Sequence, residues 1–476
     1  MSNLDLKDKK VAILGLGIEG MALLKYLDGK TSNITILDRL SVSEIIQNLE
    51  EGERADAENL IRKYKIISGE KYMDDLSGFD VVFRSPGISI NHPKLQEAEE
   101  KGAIISSQIK LFFDLCPAMI IGVTGTKGKG TTSSLIFEIL KKSSQFSVLS
   151  SQSNPNVYIA GNIGYPAITL IPQLKSDDIV ILELSSFQLM DLEKSPHMAV
   201  VTNLTVDHLD YHKDVDEYQD AKKSILKFQS KNDFAVLNSD STFDSDFINN
   251  ETRSSIKYFS HTEDKDAVVK DGKVVLDPKN KSITICDENN IKLFGRHNLE
   301  NIAAASIVAE ILGVDFDVIK KVVAEFKGLP HRLELVSEID GIKFINDSFA
   351  TNPEPTIAAV DSFSENKVLI LGGSSKGANF DELSKKIVKS NVSSVVTIGI
   401  EGEKIENSLS KNKYDGTIIQ GGNSIEEIIV NAKKLAKSGD VIIFSPACAS
   451  FDMFKNYKDR GEKFKDSVLK LQNHES

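Results

Sequence analysis

At 476 residues the chain exceeds one ordinary hydrophobic core, so two or three domains are expected. Hydrophobic content of 41% with 26% charged residues is that of a globular domain protein, and a formal net charge of −12 argues against nucleic acid as a partner. Three cysteines (Cys116, Cys286, Cys448) without a CxxC, an N-terminus lacking the apolar core of a signal peptide, and no run approaching the roughly 20 residues of a membrane span predict a cytoplasmic protein with no membrane partner.

Residues 10–20, KVAILGLGIEG, predict a strand running into Gly15, Gly17 and Gly20 at GxGxxG spacing, followed by the helical MALLKYL. The next strand, ITILD, ends at Asp38, near the interval at which a dinucleotide fold sets an acid on a ribose. A nicotinamide site, a different nucleotide at the same crevice, and a simple helix-on-strand turn all fit. DVVFRSPGI predicts a strand ending in a turn at Ser85, Pro86 and Gly87, which should face the same crevice, and Ala103 to Leu115 reads as the exit to the next domain.

The central stretch is GVTGTKGKGTT, from Gly122 to Thr132, after the strand-like AMII and before the helical SSLIFEILKK with apolar Leu135, Ile136, Ile139 and Leu140. A glycine-rich loop between strand and helix (Gly125, Thr126, Lys127, Gly128, Lys129) aims backbone N–H groups and the positive helix end at one point. Lys129 adds a mobile charge, a pattern suited to the β and γ phosphates of a nucleotide. The usual phosphate loop has Ser or Thr directly after this lysine; here Gly130 stands there and Thr131 follows.

GNIGYP (161–166) comes next, then predicted strands DIVILELSSFQL (178–189) and MAVVTNLTVDHLDYH (198–212). Glu183 within ILEL needs a partner or a cation, or is a structural buried acid. Asp207 and His208 close the second strand, where a surface histidine is the plain alternative to a ligand. Lys222 and Lys223 on the helix EYQDAKKSILKFQ read as a solvated face. Residues 231–294 (FAVLN, KVVLD, ITICD, IKLF) predict a β-rich outer subdomain or excursion without chemistry. FGRHNLENIAAASIVAEILG predicts a turn and a long helix with His297, Asn298 and Asn301 at its start, the asparagines serving as caps or base contacts. GLPHRLE (328–334) predicts a hinge, and KFIND, KVLILGG, SVVTIG and DVIIFSPA predict strands of another doubly wound domain, with Asp347, Ser348, Lys376, Ser445 and Ser450 at or just past strand ends.

In this order the motifs resemble the Mur ligase superfamily: GLGIEG and SPGI; TGTKGKGTT, GNIG, ELSSFQL, NLTVDHLD, DAKKSI and GRHNLEN; GLPHR, NDSFATN, LGGSSKG and SPACASFDMFKNYKDRG. The branch they are most similar to adds glutamate to UDP-N-acetylmuramoyl-L-alanine. The resemblance implies an α/β three-domain architecture: a Rossmann-like N-terminal domain (1–107), a central P-loop ATPase domain (108–328) and a Rossmann-like C-terminal domain (329–476).

It further implies that Gly15, Gly17, Asp38 and the Ser85-Pro86-Gly87 turn face the UDP moiety rather than NAD. Gly125 to Thr131 would hold ATP. Glu183 and His208, with Thr131, would bind two Mg²⁺ ions beside Lys222 carbamoylated by CO₂, which turns a cation into an anion able to face magnesium. Asn162 and Asn298 match adenine-side positions, with Asn301 a further cofactor-binding candidate; Arg332 and Asp347 match nucleotide contacts, and Thr351, Lys376, Ser450, Phe451 and Tyr457 the pocket of the incoming amino acid. A monomer that ligates D-glutamate through an acyl phosphate is implied, with L-glutamate addition or a folylpolyglutamate synthase-like activity as alternatives. Gly130 matches the latter's phosphate loop, and Phe349 in NDSFATN stands where the glutamate-adding branch usually has lysine.

Overall fold

The computed structural model describes residues 6–49, 51–143, 155–205, 211–241, 248, 252–277, 279–375 and 377–475. The chain forms two compact units, one of Met1–Ile285 with Glu300–Val322, the other of Cys286–Leu299 with Val323–Ser476.

The first unit contains two sheets. One has five parallel strands, β1 (Val11–Leu14), β2 (Ile34–Asp38), β3 (Lys65–Ser68), β4 (Val81–Arg84) and β5 (Ile104–Ser106), in the order β3-β2-β1-β4-β5. The strand order reverses between β1 and β4, and a doubly wound sheet takes its ligand outside the carboxyl ends at such a switch. The Gly15 loop follows β1 and the Ser85 turn follows β4, so both lie at that point.

The other sheet is built from β6 (Met119–Thr124), β7 (Val157–Gly161), β8 (Ile179–Glu183), β9 (Met198–Val201), β10 (Phe234–Asn238), β11 (Ser255–Ser260), β12 (Ala267–Lys270), β13 (Lys273–Leu276) and β14 (Ile283–Asp287), ordered β14-β13-β12-β11-β10-β9-β6-β8-β7. From β12 to β7 the neighbours pair parallel, and β12 and β13 form an antiparallel hairpin. Strands covered on both faces read as unbroken apolar runs, and Ile179 to Leu182 are fully buried.

The second unit holds β15 (Glu334–Ile339), β16 (Ile342–Asn346), β17 (Lys367–Gly372), β18 (Val392–Ile398), β19 (Thr417–Gln420) and β20 (Val441–Phe444), ordered β15-β16-β20-β17-β18-β19. Only β15 runs antiparallel.

Several expectations are corrected. Residues 231–294 are no outer subdomain: β10 and β11 continue the central sheet in parallel, and IKLF is irregular chain. The run 178–189 divides into β8 and a short helix Ser186–Leu189 capped by Ser185, whose hydroxyl accepts from the Gln188 amide. The stretch from Ala103 contains β5 of the first sheet, followed by helix Gln108–Leu115. Among the described residues no helix is long and apolar enough to cross a membrane.

Candidate active site

The glycine loop leaves β6 at the sheet centre and enters helix Lys129–Lys142 through Gly128, the N-cap, in the left-handed region at φ +86. Two of its glycines are dictated by space. A Cβ on Gly125 would collide with Thr202 Oγ1, and one on Gly128 with Asn301 Oδ1. The loop is held from below: Thr126 N donates to the Asn203 carbonyl (2.6 Å), Thr202 Oγ1 to the Lys127 carbonyl (2.6 Å), and Thr132 Oγ1 to Asn301 Oδ1 (3.1 Å). Helix amides of the first turn have no intrahelical acceptor, which makes this helix start an anion site.

Lys129 Nζ folds back on the loop, donating to the Gly125 (2.9 Å) and Thr126 (3.1 Å) carbonyls. Lys222 reaches the same oxygen. It is buried, not on a solvated face, and its Nζ donates to the Gly125 carbonyl at 3.0 Å while lying 4.8 Å from the Tyr218 ring centroid. Two ammonium groups therefore converge on one carbonyl. Like charges brought together repel. An anion between them, or loss of one positive charge, relieves that repulsion.

Glu183 ends β8 level with the last residues of β6, the register pairing Val123 with Glu183. Its carboxylate is buried and accepts from Asn162 Nδ2 at 2.9 Å, and the Asn162 amide donates to the Glu183 carbonyl at 2.9 Å. Gly161, at φ +103, lets the two strands approach, since a Cβ there would meet the Glu183 carbonyl. Hard oxygen donors suit Mg²⁺, and Glu183 with the half-buried Thr131 supplies a carboxylate and a hydroxyl of that kind. Among the described residues no three His, Cys, Asp or Glu side chains gather as a metal site; His208 lies outside the described residues.

The asparagines of helix His297–Ile311 do local work. Asn301 braces the phosphate loop, and Asn298 Nδ2 donates to the Phe294 carbonyl at 2.7 Å.

In the first sheet, Gly15 takes φ +89 and a Cβ on Gly20 would strike the Gly15 carbonyl. Asp38 is turned inward: Oδ2 accepts from Leu16 N (2.6 Å) and Oδ1 from Leu40 N (2.8 Å). The carboxylate thus fixes the glycine loop. The Ser85 turn is docked on the central sheet's loops. Arg84, buried, pairs with Asp191 at 2.7 Å and donates to the Ile88 and Phe187 carbonyls, while Tyr211 OH donates to the Pro86 carbonyl at 2.8 Å. Gln188 Nε2 donates to Glu19 Oε1 (2.7 Å) at the start of the first helix. Sequence reasoning missed Arg84, Asp191, Tyr211 and the Gln188–Glu19 contact. The signal was their place inside or beside the motifs GLGIEG, SPGI, ELSSFQL and NLTVDHLD.

In the second unit Asp347 follows β16. Burial pushes its carboxyl up to about 7, against the lowering effect of bonds from Ser445 Oγ (2.7 Å) and Leu333 N (3.2 Å) and of the Arg332 and Arg460 charges. Ser450 is buried, Phe451 is exposed, and Phe451 N donates to Ser374 Oγ (3.0 Å), tying the loops after β17 and β20 together. Thr351 and Tyr457 are half-buried near the end of β16 and at the start of helix Tyr457–Glu475; Lys376 lies outside the described residues. Buried Arg460 donates to the Ser348, Cys448 and Ala449 carbonyls and closes this edge from beneath.

Three doubly wound sheets, one carrying a phosphate loop with a buried carboxylate and lysine beside it, define a nucleotide-dependent α/β protein. Residues 9–107 match the MurD-like N-terminal domain of Mur ligases, 123–309 the Mur ligase middle domain and 331–448 the Mur ligase glutamate ligase domain. The chain belongs to the Mur ligase family. It is 40% identical to the UDP-N-acetylmuramoylalanine-D-glutamate ligase of Acetivibrio thermocellus over 474 residues, covering 98% of this chain and 97% of the relative. It is 40% identical to the same-named ligase of Clostridium tetani over 470 residues, again 98% and 97%. Among solved structures it is similar in fold to the UDP-N-acetylmuramate-alanine ligase MurC of Thermotoga maritima (TM-score 0.55, 18% identity, 98% of this chain and 100% of that one). The MurF ligase of Thermotoga maritima in complex with ADP gives a TM-score of 0.54 at 18% identity, covering 98% of this chain and 96% of that one.

Proposed function

We propose that this chain is a cytoplasmic, monomeric, ATP-dependent ligase that joins D-glutamate to UDP-N-acetylmuramoyl-L-alanine, releasing ADP and phosphate during peptidoglycan precursor synthesis. The observation that carries it is the pair of lysines, Lys129 and Lys222, meeting at the Gly125 carbonyl beside Glu183, in a chain matched end to end by D-glutamate ligases.

A carboxylate is a poor electrophile, so its oxygen first takes the ATP γ-phosphoryl group to give an acyl phosphate. The glutamate amine then adds to that carbonyl, and phosphate leaves from the tetrahedral intermediate. Lys129 and the amides from Gly125 to Thr131 hold the phosphate oxygens as charge builds on them. Glu183, His208, Thr131 and a carbamoylated Lys222 would hold Mg²⁺, which when bound neutralises phosphate charge. Asn162 and Asn298 serve the adenine side, Asn301 serves the cofactor by bracing the phosphate loop, and Arg332 and Asp347 serve the nucleotide. Gly15, Gly17 and Ser85 to Gly87 receive the UDP moiety, with Asp38 setting the shape of their loop. Thr351, Lys376, Ser450, Phe451 and Tyr457 take glutamate. The domain divisions of this reading fall at residues 107 and 328.

A second reading, L-glutamate addition to the same acceptor, is favoured by one feature, the apolar Phe349. A coupled ADP-release assay offering D- and L-glutamate separately decides between them. ADP release that needs both the sugar nucleotide and D-glutamate is expected; equal release with folates and L-glutamate would defeat the proposal.

A further inference from the structure

Phe349 lies in the turn between β16 and helix Pro353–Asp361, and more than a third of its surface is exposed. It is therefore no core residue, yet its ring is held on two sides. The Arg332 guanidinium carbon sits 3.8 Å from the ring centroid, and Tyr457 meets the ring edge-on at 5.1 Å and 84°.

The backbone beneath is stitched so as to present this stack. His331 and Leu333, on either side of Arg332, both occupy the left-handed region at φ +64 and +45. Non-glycine residues stay there only where surrounding bonds over-determine them. Those bonds come from the Phe349 turn itself: Phe349 N donates to the His331 carbonyl (3.0 Å), Leu333 N to Asp347 Oδ1 (3.2 Å), and Asn346 Nδ2 lies 3.0 Å from His331 Nδ1. Stacking engages the face of a guanidinium, whereas its N–H donors lie in the plane at its edge, so the contact orients the donors without consuming them.

We propose that Phe349 is a positioning residue whose ring holds the Arg332 guanidinium in one orientation for the nucleotide phosphates. This rests on Arg332 serving the nucleotide, as proposed above. Leucine at 349 keeps the bulk and loses the ring quadrupole; lysine would set a second cation beside the guanidinium.

The test compares the full-length Phe349→Leu, Phe349→Tyr and Arg332→Ala variants and the Phe349→Leu/Arg332→Ala double variant by steady-state kinetics and thermal melting. Phe349→Leu is expected to lower kcat/KM for ATP about three- to fivefold, with KM for glutamate and melting temperature unchanged, and Phe349→Tyr to stay within twofold of the parent. In the Arg332→Ala background the leucine substitution should add nothing. Phe349→Met carries the same prediction should the leucine variant fail to fold. Arg332→Ala impaired toward ATP while Phe349→Leu is harmless, or a leucine effect that persists without the arginine, overturns the positioning role alone. Unchanged ATP kinetics in Arg332→Ala overturns the nucleotide reading of the arginine and the positioning role with it.

Discussion

The two glycine loops of the first unit share a plan, strand into loop into helix, and differ in which groups hold them. After β1, an acidic side chain holds the loop: Asp38 Oδ2 accepts from the Leu16 amide where the loop turns. After β6, cations hold the loop: Lys129 and Lys222 donate to its carbonyls. The first arrangement satisfies the Gly15 and Leu16 amides internally and pre-shapes the loop. The second concentrates positive charge at a helix start. Positive charge at a helix start suits a polyanion such as a triphosphate, so under the proposed function one backbone plan would serve two kinds of ligand contact.

Breaking the cationic loop should have the largest effect. Lys129→Ala is expected to lower kcat about 100- to 1000-fold with the fold intact, whereas Asp38→Ala should act on the KM for the sugar nucleotide. Equal effects of both on kcat would erase the contrast. Lys222→Ala should abolish turnover, and added short-chain carboxylate should restore part of it, measured as ADP release; no rescue would count against a carbamate.

The glycines sharpen the comparison at a smaller scale. Gly128→Ala puts a Cβ against Asn301 at a left-handed φ and should weaken ATP binding and cost at least about 1–2 kcal/mol of stability. Gly17→Ala meets open space and should stay within about 0.5 kcal/mol in denaturant melts.

A further effect, one of pH rather than of contact, concerns Asp347. Folded, it keeps its proton up to about pH 7; unfolded, it releases it near the ordinary carboxylate value. Between those values the unfolded chain binds fewer protons, so this residue's contribution to stability is complete at low pH and is lost as pH rises to 7. Asp347→Asn should flatten that slope in thermal melts taken from pH 4 to pH 8. An unaltered slope would remove Asp347 as its source.

What the sequence disclosed follows from where the information lies. The phosphate loop was legible because strand, glycine turn and helix are contiguous, and Glu183 stood out as an acid inside an apolar strand; the Gly125 and Gly128 clashes show why a side chain does not fit at those two positions. Lys222 read as a surface residue because its partner, the Gly125 carbonyl, is 97 residues away. Asp38 was placed at the right strand end, but its side-chain direction, set by the Leu16 amide, leaves no mark in spacing. FAVLN, KVVLD and ITICD, which form β10, β13 and β14, read as an appendage since local pattern does not tell which sheet a strand joins; the parallel pairing of β10 to β9, and of β11 to β10, carries the central sheet out to them.

The central claim is phosphoryl transfer to a carboxylate before the amide forms. It is tested most directly with UDP-N-acetylmuramoyl-L-alanine carrying ¹⁸O in the alanine carboxylate, ATP and D-glutamate, followed by mass analysis of the released phosphate. One labelled oxygen per phosphate is predicted. Unlabelled phosphate released alongside amide product would contradict the account.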